Sequence, residues 1–112
     1  MESARQLGQF VGEAIAPVRG TMDVIGMTRG EPGLPMRFLW RGREYAVAEV
    51  LARWKETGPC RHGSGERYVR THWFDLRTED GWVMRLFFER QPRSARDRLK
   101  RWWLQTATPP AS

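Results

Sequence analysis

The chain has 112 residues, a net charge of +6 and 40% apolar side chains, which is the size and composition of one small globular domain. That excludes a multidomain enzyme and wholesale disorder, and the apolar runs are too short and too often broken by charge for a membrane-spanning helix. A lone cysteine, Cys60, cannot form an internal disulfide. The opening Met1-Glu2-Ser3-Ala4-Arg5-Gln6-Leu7 has no basic region followed by an apolar run, so a cytoplasmic protein without a secretory leader is expected.

Residues 1–33 read as an N-terminal segment with a short helix and an edge strand. Leu7, Phe10, Val11 and Ile15 fall at helical spacing, Ser3 offers a cap and Pro17 a stop, so 3–16 can form an amphipathic helix. Gly8 and Gly12 weaken it, and an extended stretch over 15–25 competes. Thr21–Met27 alternates loosely. Gly30, Pro32, Gly33 and Pro35 then make a loop.

Residues 34–106 read as the β-rich core domain. Met36–Trp40 and Arg43–Leu51 flank Arg41-Gly42, a hairpin signal. Val47, Val50, Leu51 and Trp54 also share helical spacing, so the second strand bends or ends in a helical turn. Arg67–Thr78 alternates cleanly, with Tyr68, Arg70, His72, Phe74 and Leu76 on the face expected to meet the core. Asp80-Gly81 suits a tight connection, and Trp82–Glu89 returns with apolar residues on both faces, the mark of a central strand. Ser94-Ala95-Arg96-Asp97 resembles a helix cap, and 102–106 is strand-like. Residues 107–112 read as a flexible tail. The expected fold is mainly β: a single small curled antiparallel sheet, or partly open barrel, of about five strands with one or two short helices.

From Phe38 to Trp54 the chain has the pattern F-x-W-x-G-x-x-Y-x-V-x-x-V-L-x-x-W, followed by an aromatic strand ending in Asp80-Gly81, the apolar strand Val83–Phe88 and a closing Trp102-Trp103-Leu104. These blocks, spanning roughly 34–106, resemble a bacterial domain-of-unknown-function family of small β-rich domains. Similar domains occur at the tail of a polymerase-like protein of DNA-damage mutagenesis cassettes. The resemblance implies a link to DNA repair or damage tolerance, by analogy. It carries over no catalytic residues.

Charge is the clearest functional signal. The basic residues are 17 Arg and 2 Lys, a bias that GC-rich codon usage explains. Local concentration is more telling: Glu89–Arg101 holds six positive residues against two negative, a net +4. Phosphates would feel that field. Rings beside cations, as in Trp40-Arg41 and Arg70-Thr71-His72-Trp73, suit single-stranded nucleic acid, although most of these rings belong in a core. The candidate nucleic-acid-binding residues are Arg41, Arg43, Arg70, Trp73, Arg93, Arg96, Arg98, Lys100 and Arg101. Trp73 is the choice for an exposed stacking ring.

Other chemistry is weakly supported. Cys60, His62 and His72 with Glu66 or Asp75 match no recognised zinc spacing, and no triad-like arrangement surrounds Cys60. No catalytic residue, metal or cofactor is expected. The favoured reading is a non-enzymatic binding module for nucleic acid, single-stranded by preference. The competing reading is a protein–protein adaptor that meets an acidic, repair- or polymerase-type partner.

Overall fold

The structure is a computed structural model that describes residues 8–28, 30–59, 67–90 and 100–111, with backbone alone at 58–59 and 67–70. Its elements are β1 (Gln9–Ala14), β2 (Ala16–Pro17), the helical turn α1 (Val24–Met27), β3 (Arg37–Trp40), β4 (Arg43–Pro59), β5 (Arg67–Thr78), β6 (Val83–Glu89) and β7 (Trp102–Thr108). They form one antiparallel sheet in the order β1-β7-β6-β5-β4-β3-β2. β1 and β2 sit at opposite edges, yet only Ile15 separates them. The single stretch Gln9–Pro17 therefore holds β7 with its first part and β3 with its second. Ile15 N donates to Trp102 O (3.1 Å) and Val18 N to Arg37 O (2.9 Å), so hydrogen bonding continues around the join. The sheet is thereby curled into a half-barrel.

The mainly β fold stands, but it has seven strands and not about five. The five legible ones are β3 to β7. The expected helix over 3–16 is not formed in its described part: Gln9–Ala14 is strand. Gly8 (φ 89°) and Gly12 (φ 66°) both hold left-handed backbone, and Gly12 lies where the β1–β7 register slips between Phe10 and Glu13. Pairing at both edges of the sheet overrides a helical pattern already weakened by two glycines. The short helix lies instead at Val24–Met27, where the Asp23 carboxylate accepts from Ile25 N (3.1 Å). The expected helix cap at 94–97 lies outside the described residues.

The turns form where expected. Arg41 (φ 53°) and Gly42 (φ 77°) are both left-handed, the geometry that matches a two-residue connection to strand twist. After Thr78, Gly81 takes φ 95°, with its N–H donating to Thr78 O (3.0 Å). β4 runs 17 residues without a helical turn. Its register against β5 slips between Val47 and Glu49 and again between Val50 and Ala52. Each slip is a bulge that adds one residue to β4. The three-residue step from Val47 to Val50 is thus a strand repeat plus an inserted residue, which mimics helical spacing.

The concave face of the sheet buries Phe38, Trp40, Tyr45, Phe74, Leu76, Met84, Leu86, Trp102 and Leu104. Leu34, Ile15 and Ala107 complete that core, the last two from either side of 34–106. β7 carries the ladder to Thr108. Trp82 packs edge to face against both Trp40 and Tyr45 at about 6 Å, an arrangement that aromatic pairs favour. Among the described residues no helix is long and apolar enough to cross a membrane.

Candidate nucleic-acid interface

The candidate residues fall on three separate parts of the sheet. Trp73 points away from the core, as strand alternation requires, but it is not an isolated ring. Register places Trp54, Trp73, Phe87 and Trp103 side by side across β4, β5, β6 and β7. Their centroids step by 5.8, 4.7 and 6.4 Å, and the Trp54 and Trp73 planes lie 1° apart. Trp73 is therefore flanked on both sides by neighbouring rings, and its Nε1 donates to Glu56 (3.0 Å). Arg85 caps the ladder over Trp54 (4.9 Å) while its guanidinium makes two bonds to Asp75 (2.7 and 2.9 Å). That pairing raises the Arg85 pKa.

Arg41 and Arg43 sit at the β3–β4 turn. Arg41 grips Glu13 through two bonds (3.0 and 2.6 Å), and Trp40 Nε1 donates to the same carboxylate (2.9 Å). These donors, with Arg41 foremost, pull the Glu13 pKa down to about 2, and the Glu13 carboxylate in turn raises that of Arg41. Arg43 pairs with Asp80 (2.9 Å) and lies over Tyr45. Both cations are thus committed to carboxylates of this chain. Their fixed positions tie the β3–β4 turn to β1 and to the β5–β6 turn.

Arg101 and Lys100 lie at the opposite end, where β7 begins. Across the sheet Lys55 faces His72, His72 faces Phe88 and Phe88 faces Trp102. From this row to Thr78 is six residues of β5, about 20 Å. The structure thus separates Arg41 and Arg43 from Lys100 and Arg101. Arg101 Nε donates to Glu89 O (2.7 Å) and its Nη2 to Arg90 O, and its guanidinium lies over Phe88 (5.0 Å). Backbone carbonyls orient this cation without adding a compensating negative charge. Arg90 is exposed, and among the described residues no carboxylate comes within ion-pair reach of Arg90 or Arg101. Arg70 lies in β5 near the slip that sets Glu56 against Thr71 and Thr57 against Val69. Arg93, Arg96 and Arg98 lie outside the described residues.

Lys55, Arg90 and His72 are not among the binding candidates drawn from the sequence, although the charge count over 89–101 already includes Arg90. His72 is buried, 3% exposed. Burial pushes its pKa down, and Arg90 and Lys55 push it further. Cys60, His62 and Glu66 lie outside the described residues, and among those described no three His, Cys, Asp or Glu side chains gather as a metal site. No curated protein and no solved structure matches the chain. One family matches residues 4–108, almost the whole length described above. The chain belongs to that family, the domain of unknown function DUF6504.

Proposed function

We propose that this domain is a non-enzymatic binding module that contacts nucleic acid, single-stranded by preference, through the end of the sheet where β7 begins. The observation that carries the reading is the arrangement of Arg101. Its guanidinium is fixed by two carbonyls and a ring while its charge is left unbalanced, next to exposed Arg90. Such pre-oriented cations suit phosphate oxygens. Lys55 and Lys100 extend the patch, and the chain between Arg90 and Lys100 supplies Arg93, Arg96 and Arg98. Trp73 takes no part in this reading, since rings flank it on both sides, and Arg41 and Arg43 act as ties within the fold. The resemblance of the sequence blocks over 34–106 to domains at the tail of a polymerase-like protein, an analogy from sequence pattern, supports a setting in DNA repair or damage tolerance, in the bacterial cytoplasm.

The test is binding of a labelled single-stranded oligonucleotide across a salt series. Arg90, Arg101 and Lys55 would neutralise three phosphates, and Lys100 with the three further arginines would bring the number to seven. At about −0.7 per phosphate, log affinity should fall against log salt with a slope between about −2 and −5. Absence of binding at low salt, or a slope near zero, refutes the reading.

The adaptor reading is favoured by a different observation. Val24, Ile25 and Met27 on α1 are 67%, 67% and 52% exposed, an apolar group outside the core. Retention of a protein from a nuclease-treated lysate, lost on Ile25→Ser, would support it over the nucleic-acid reading.

A further inference from the structure

A cavity of about 230 Å³ opens between the loop at Gly30–Pro32, His72 of β5, the end of β6 and the start of β7. A water molecule occupies about 30 Å³ of liquid, so the space suits one small chemical group rather than a drug-sized ligand. Its chemistry is set by Glu31, His72, Phe88, Arg90 and Arg101. His72 is 3% exposed, and its Nε2 has no hydrogen-bond partner among the described residues. Buried polar atoms are nearly always paired, so an orphan nitrogen on a ring that lines a cavity points to a partner that reaches it there.

The electrical balance says what kind of group that is. Arg101 is locked by the carbonyls of Glu89 and Arg90, neither of which cancels its charge. Arg90 is exposed beside it. The single carboxylate in the lining, Glu31, is already paired with Arg53 (3.0 Å). The cavity is therefore positive, with donors arriving from three strands: His72 from β5, Arg90 from the end of β6 and Arg101 from the start of β7. Three convergent donors match the three free oxygens of a phosphate monoester better than the two of a carboxylate. Phe88 forms an apolar wall against which the rest of the ligand can lie.

We propose that this cavity is a binding site for one phosphate monoester group, held by Arg90 and Arg101 with the His72 Nε2–H completing its hydrogen bonds. The site rests on the nucleic-acid reading only for the source of the phosphate, which is either the phosphorylated end of a strand or a small phosphate ester. A group bound there would meet Arg90, Arg101, His72 and the Arg53-paired Glu31, with Lys55 on the neighbouring strand opposite His72.

The test uses the full chain and inorganic phosphate as first probe, followed by NMR of the His72 ring. Saturable movement of the His72 signals is expected, with affinity about tenfold weaker in Arg101→Gln and in Arg90→Gln and unchanged in Arg43→Gln at the far end. The sources are then separated with a nucleoside 5′-monophosphate and with 5′-phosphorylated and 5′-hydroxyl strands. Preference for the phosphorylated strand by about tenfold assigns strand ends, and equal affinity for the mononucleotide assigns a small ester. If tens of millimolar phosphate leaves His72 unmoved, or moves it equally in Arg101→Gln, the site is refuted. Binding of the 5′-hydroxyl strand is read separately, so the broader reading stands or falls on its own salt slope.

Discussion

Replacing Gly8 by alanine is a sharp test of the first strand, because a helix and a strand predict opposite signs. In a helix over 3–16, Gly8→Ala and Gly12→Ala would each stabilise by about 1 kcal/mol. In the structure both positions are left-handed, where an alanine costs about 1–2 kcal/mol. Gly8 carries a second penalty. A Cβ there would run into Thr108 Oγ1 and lie 2.7 Å from the Ala107 carbonyl oxygen. The hydroxyl can rotate away, but the carbonyl is backbone of β7, so the Gln9–Ala107 end of the ladder must open. Each ladder bond lost there costs about 1 kcal/mol. The sum for Gly8→Ala is about 2–4 kcal/mol. At Gly12 a Cβ meets only the Phe10 ring (2.6 Å), which is 72% exposed and free to swing aside, so the cost stays at the backbone's about 1–2 kcal/mol. Urea unfolding should give lower midpoints in the order Gly8→Ala, Gly12→Ala, wild type, with unchanged slope. In a thermal melt each kcal/mol corresponds to about 4 °C for a domain of this size. A variant that melts at or above the wild type refutes the strand assignment.

Two further outcomes follow from the contacts around the sheet. Glu13 has a folded-state pKa of about 2, below its ordinary 4.5, so the stability it contributes is full above pH 4.5 and is lost as pH falls toward 2. Glu13→Gln should flatten the acid limb of stability against pH in that window, and an unchanged limb would show that the Arg41 and Trp40 bonds do not persist in solution. Trp73→Ala opens the middle of the aromatic ladder and should cost about 2 kcal/mol, less than a fully buried tryptophan. It should leave single-strand affinity within about twofold, whereas loss of a true stacking platform would cost about 1–3 kcal/mol of binding; a large loss in an anisotropy titration would restore Trp73 to the interface.

The parts of the fold that could be read in advance are those whose information is local. Arg41-Gly42 and Asp80-Gly81 announce their turns through backbone preference, and the alternation of His72, Phe74 and Leu76 announces a buried face. β1 and β2 could not be read this way. Their partners are Ala107 and Phe38, and nothing near Gln9 or Pro17 in sequence marks either one. The bulges in β4 were hidden for a related reason, since an inserted residue shows only against the partner strand. The same limit governs the site. Charge concentration over 89–101 was visible, but the separation of Arg41 from Arg101 depends on which end of its strand each occupies. The flanking of Trp73 by other rings depends on register with β4 and β6, and the His72 cavity depends on a loop at 30–32 that comes from far away in the chain.

The stretch Gln9–Pro17 also has a consequence for how the chain reaches this state. Gln9 pairs with Ala107, so β1, the first strand of the sheet to be made, waits for β7, the last. Until β7 emerges, β1 has no ladder partner and Ile15 has no complete core to enter. The β3–β6 meander can assemble from neighbouring segments, but closure is the most non-local step and bears the largest loop-entropy cost. Folding of the sheet should therefore finish only after β7 has been made. A nascent chain stalled before Trp102 should remain open to proteolysis near β1, with β6 exposed as an unpaired edge.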